Sequence, residues 1–175
     1  MTNLESLFAK AIRKENQRQE FLKVIDLGSV KPFVKAVIYS PEQEEGTNMR
    51  TVPHFLTKYL ARRGYKSKIL VYPLAFSCGT YMKLDDFLGT LIDHEGFHSR
   101  ENFEQPELVF GLFGRLKLND DSWRSNIRAS EVRAYYNVLL NPEDRNFSPE
   151  YIKKVEEKRK SYYYIGSMWE PGVYG

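Results

Sequence analysis

The chain contains His94-Glu95-Gly96-Phe97-His98, which uses two of its three histidines. On a helix, residues four apart share a face, so both imidazoles can reach one metal ion. Glu95, between them, is placed to hold a water and take its proton, so five residues supply the parts of a metal-assisted hydrolysis. The surrounding pattern is helical. Leu84, Phe87, Leu88, Leu91 and Ile92 recur at three- and four-residue spacing, and Asp85 and Asp86 favour the positive end of a helix dipole. A helix from Asp85 to Arg100 is predicted. Its apolar stripe continues through His94 and His98 and turns both rings inward.

A catalytic zinc ion needs a third protein ligand and one position left for water. His54 lies in a stretch from Thr51 to Gly64 that reads as an amphipathic helix with a Thr N-cap and a Gly stop, which makes it a first-turn surface or packing residue. Cys78 offers a thiolate, but it reads as a small buried residue in a strand. Glu131 fits better. From Trp123 to Leu140 the residues Ile127, Ala134 and Val138 form one helical stripe, and Glu131 falls on it. A carboxylate on a buried face requires a metal, an arginine or a hydrogen-bond network. Pairing with Arg124 or Arg128 is the competing arrangement.

His94, Glu95 and His98 with a downstream helical Glu131 resemble the zincin metallopeptidases of the glutamate-ligand group, the gluzincins. The resemblance implies Zn2+ held by His94, His98 and Glu131, Glu95 as general base and proton shuttle, and a peptide or protein substrate. It also implies an antiparallel edge strand over the active-site helix that binds extended substrate by strand addition; the stretch from Leu74 to Lys83 is the expected edge. Gluzincins usually carry an acidic residue one turn after the glutamate to orient the first histidine. Here Tyr135 stands there, leaving that role open or to another side chain such as Asn137. The third-histidine extension of the metzincins is absent, as is the glycine-rich upstream motif of the deformylases.

The expected fold is α+β and zincin-like, a small antiparallel or mixed sheet packed on the HExxH helix and on the helix bearing Glu131. Asn3 to Lys23 reads as one helix, Pro32 to Tyr39 as β-rich, and Lys68 to Tyr72 and Leu74 to Ser77 as strands. Val109 to Gly114 reads as a core-packing turn or a substrate-side lid, and a last helix starts at Ser148-Pro149. With 175 residues, 42% hydrophobic and 14% aromatic, and no Pro/Gly/Ser linker, a single domain over 1–175 is expected. The aromatic residues of 161–175 should dock on it, because they must bury apolar surface; Tyr135, Tyr136 and Tyr162 to Tyr164 are candidates to stabilise an oxyanion.

A single cysteine and the lack of a membrane-length apolar run point to a cytoplasmic protein with no membrane partner. The net charge of +3 leaves nucleic-acid binding as a minor alternative, since acidic residues are interleaved throughout and no nucleic-acid motif appears. A catalytically inactive zincin-fold interaction or structural protein is the principal alternative, on the strength of Tyr135 and the aromatic C-terminus.

Overall fold

The computed structural model describes residues 3–42, 44–111, 114 and 120–167, and side chains up to Tyr162. The chain is mixed α+β, mostly helical, around a small sheet. Strands β1 (Val34–Tyr39), β2 (Met49–Val52) and β3 (Ser67–Val71) lie in the order β1-β3-β2, with β1 parallel and β2 antiparallel to β3. Ile69 sits opposite both Val37 and Thr51 and is fully buried.

The expected helix Asn3 to Lys23 is two helices, α1 (Asn3–Arg13) and α2 (Arg18–Lys23), separated by an extended Lys14 and a 3-10 turn. The break lets α2 cover the outer edge of β1. There the Gln19 side chain accepts from the Tyr39 N–H at 2.8 Å and donates to the Val37 carbonyl at 3.4 Å, replacing the strand partner that this edge lacks. β2 therefore forms the sheet's other edge, and it faces the cleft described below.

Two sequence expectations fail here. Thr51 is in β2 rather than a helix cap, and the cap of α3 (Phe55–Leu60) is His54 itself, whose Nδ1 accepts from the Leu56 N–H at 3.3 Å. Leu74 to Ser77 is not a strand but a 3-10 turn over Pro73–Phe76, entered through proline's fixed φ, which drives Phe76 into the core. The edge strand beside the site is consequently Met49–Val52, not the Leu74 to Lys83 stretch.

The helix carrying the two histidines is longer than expected and not uniform. It begins as α4 (Leu84–Leu88), widens to a π-helical stretch over Gly89–Glu95, and continues as α5 (Gly96–Glu104). Phe87 and Leu91 are fully buried on the predicted stripe, and Phe87 packs against Phe8, Phe21 and Phe76 at ring separations of 5.1, 5.4 and 5.5 Å. Two glycines permit close approach along this helix. A Cβ on Gly96, inside the HExxH pattern, would fall 2.8 Å from Val30, and Gly89 is pressed against the Phe147 ring.

Buried Asp86 ties this helix to α8 (Pro149–Ser167). Its carboxylate accepts from the N–H groups of Met82 and Lys83 at 3.2 and 3.1 Å, and from the N–H and hydroxyl of Ser148 at 2.8 and 2.7 Å. Asp86→Ala would leave the two buried Ser148 donors without their acceptor, so urea unfolding should show a loss of about 3 kcal/mol.

Between α5 and the long α7 (Asp120–Leu140) lies α6 (Glu107–Phe110), where Val109 and Phe110 are buried, in keeping with a packing role. Leu112 and Phe113, the rest of that apolar run, lie outside the described residues. Ser148 caps α8 as expected, its hydroxyl accepting from the Tyr151 N–H at 3.2 Å. Of the aromatic C-terminus, α8 includes residues up to Ser167; Met168 onward lies outside the described residues. Among the described residues, no helix is long and apolar enough to cross a membrane.

Candidate metal centre

α7 brings Glu131 against the two histidines. One Glu131 carboxylate oxygen lies 3.4 Å from His94 Nε2 and the other 3.4 Å from His98 Nε2. These three residues form the only metal-capable group of His, Cys, Asp and Glu among the described residues. At 3.4 Å the contacts are long for hydrogen bonds. They match the ligand-to-ligand edge of a tetrahedral ion, about 3.3 Å for bonds of about 2.0 Å. His98 Nε2 is buried with no hydrogen-bond partner, which leaves a lone pair or a proton directed at this point. Two imidazoles and a carboxylate are a donor set that suits zinc, so the residues present fit the ion.

The electrostatics show what the cluster does with protons. At Glu131, burial opposes ionisation, but the close His94 and His98 imidazoles outweigh it and hold the carboxyl far below its usual range. At His98, burial disfavours the imidazolium, yet Glu131, with Glu95 and Glu101 behind it, raises the pKa above 6.5.

Several supporting side chains were not singled out by the sequence. The Thr51 hydroxyl of β2 lies 2.8 Å from Glu95 Oε2 and 2.9 Å from the Glu95 carbonyl, which fixes the carboxylate beside the two histidines. His98 Nδ1 lies 3.0 Å from the Ser130 hydroxyl, which donates to Glu101, whose other oxygen takes the Arg133 Nε–H at 2.7 Å. Glu101 is three residues after His98 on one helix, a spacing visible in the sequence; Ser130 and Arg133 flank Glu131 on α7. Such a relay fixes the orientation and basicity of a ligating imidazole. Glu101→Gln should therefore weaken zinc affinity about 10- to 100-fold in competition with a fluorescent chelator.

The first histidine is held differently. Tyr135 packs its ring on His94 at a 4.3 Å centroid distance, and His94 Nδ1 has no partner. Asn137, considered as its orienting group, donates instead to the Asp93 carbonyl at 2.7 Å, while the buried Asp93 carboxylate pairs with Arg145 at 3.0 Å. Burial, then the charge of Glu131, raises the Tyr135 pKa, so its hydroxyl stays protonated at neutral pH. Tyr162 stacks on Tyr135 at 5.9 Å and lines the cleft, whereas Tyr136 is exposed and does not.

The other two ligand candidates stand apart. His54 stacks on Tyr65 at 4.6 Å in the α3 cap. Cys78 is exposed in a turn, not buried in a strand, because the 3-10 turn before it replaces the expected β-structure. Glu131 makes no ion pair with Arg124 or Arg128.

The cluster opens into a cleft of about 850 Å³, walled by β2 on one side and by α7 and α8 on the other. Comparison of the chain with protein-family models, curated proteins and solved structures finds no match, so the reading of this centre rests on its own geometry.

Proposed function

We propose that this protein is a zinc-dependent peptidase-like hydrolase with a zincin-like, gluzincin-type centre. His94, His98 and Glu131 would hold the metal, and a zinc ion there supplies Lewis acidity and lowers the pKa of water. The observation that carries the reading is the convergence of His94 Nε2, His98 Nε2 and the Glu131 carboxylate beside a buried Glu95.

Glu95 takes a proton from the attacking water as its oxygen adds to the peptide carbonyl carbon. It then gives that proton to the leaving amine nitrogen as the C–N bond breaks. Thr51 keeps the carboxylate aimed during both transfers. The same strand offers its outer main-chain groups to an extended peptide, so the residue that orients the base belongs to the element that would align the substrate. Tyr135, protonated and beside His94, would donate to developing negative charge on the carbonyl oxygen.

A mixed quenched-fluorescent peptide library tests this. Zinc-loaded protein should cleave it, and a chelator should abolish cleavage that added zinc restores. No cleavage of any peptide by fully loaded protein would favour the non-catalytic alternative.

A further inference from the structure

We infer that the cleft selects peptides with acidic side chains beside the cleaved bond, gripped by Lys58, Lys154 and Lys158. This rests on the peptidase reading for the backbone of the substrate; its charge is read from the cleft walls.

Helix α8 carries both signs along its length, with Glu150, Glu156 and Glu157 among five basic residues between 150 and 160. Its cleft face is selective. Tyr151, Lys154, Val155, Lys158 and Tyr162 line the cleft at helical spacing, so every charged α8 residue on that wall is a lysine. Lys154 and Lys158 are four apart and repel one another, which an anion between them would relieve. Lys58 of α3 joins the lining, its Nζ 5.2 Å from the Tyr59 ring centre. Among the described residues, none of the three ammonium groups has a carboxylate within ion-pair distance.

The acidic groups of the cleft are all engaged elsewhere. Glu44 is paired with Arg50 at 2.8 Å and accepts the Tyr72 hydroxyl at 2.8 Å, which lowers its pKa. Glu95 is held by Thr51, and Glu131 lies between the histidines. A divalent cation would offset Glu95 and Glu131, leaving the lysines as the uncompensated charge. Lys154 and Lys158 are exposed at the cleft's edge, where such charges attract an anionic ligand and discriminate by sign.

The edge strand favours a peptide over a nucleic acid as the carrier of that negative charge. β2 presents main-chain donors and acceptors along the cleft, which an extended peptide can pair with and a nucleic acid cannot match in register.

The test uses zinc-loaded Glu95→Gln protein, which binds without turnover, and fluorescein-labelled ten-residue peptides that differ only in Glu, Gln or Lys at the two central positions. Anisotropy should show the Glu peptide binding about tenfold more tightly than the Gln peptide at low salt, with the difference shrinking as ionic strength rises. Lys154→Glu with Lys158→Glu should invert the order to favour the Lys peptide at unchanged zinc content; Lys58→Ala should reduce the preference without inverting it. Equal binding of the three peptides, or an order that survives the double reversal, overturns the inference. So does a single-stranded oligonucleotide that binds more tightly than the Glu peptide. Acidic preference in binding with no cleavage by the parent protein sinks the peptidase reading alone, whereas cleavage without charge preference sinks only this inference.

Discussion

Glu95→Gln should keep its zinc and lose about 10²- to 10⁴-fold in peptide turnover, the range typical of a positioned general base. The amide is nearly isosteric and can still meet the Thr51 hydroxyl, so the fold and the cleft should persist. What it lacks is basicity, because an amide cannot accept the proton of water at neutral pH. Single-turnover kinetics with a fluorogenic peptide, alongside metal analysis of the same sample, separate the two effects. A variant that cleaves as fast as the parent would remove Glu95 from the chemistry, and one that loses zinc would make it a ligand or a structural prop.

His98→Ala should lower zinc affinity more than a hundredfold, a larger effect than loss of its supporting relay. The pH dependence of the parent carries the same information. In the metal-free protein the His98 pKa is raised, so its charged form adds stability below pH 6.5 that is lost as pH rises through the folded value. Zinc requires the neutral imidazole and must displace that proton. Below the raised His98 pKa, affinity should therefore fall about tenfold per pH unit, and above it level off. Glu131, whose pKa is lowered, stays ionised throughout this window; its contribution is present above about pH 4.5 and fades only in strong acid. Competitive titration between pH 5.5 and 8.5 measures the slope. A flat profile, or a His98→Ala variant that binds zinc like the parent, would remove His98 from the metal set.

The parts of this arrangement that local periodicity controls were readable from the chain. Buried Phe87, Leu91 and His94 share an inward stripe with partly buried His98, and partly buried Glu131 shares one with Ala134 and Val138, so their proximity followed from two helices each turning one face inward. The π-helical stretch at Gly89–Glu95 was not readable, because the apolar spacing there suits an ordinary α-helix, and the close contacts of Gly89 with Phe147 and of Gly96 with Val30 join residues far apart in the sequence. Short elements misled for a related reason. Thr51 suits a helix cap and a strand equally, and pairing with Ile69 of β3 decided for the strand. That one choice moved the edge strand to the site and supplied the group that holds Glu95. Ser130 and Arg133 escaped notice because a polar residue on a helix gains meaning only when its neighbour across the interface, here Glu101, is known.

Anomalous diffraction at the zinc absorption edge, from crystals of the zinc-loaded protein, locates the metal independently of any assumed ligand. One peak per chain is expected, bounded by His94 Nε2, His98 Nε2 and the Glu131 carboxylate. A peak at His54 or Cys78, or none at all after loading, would contradict that ligand set.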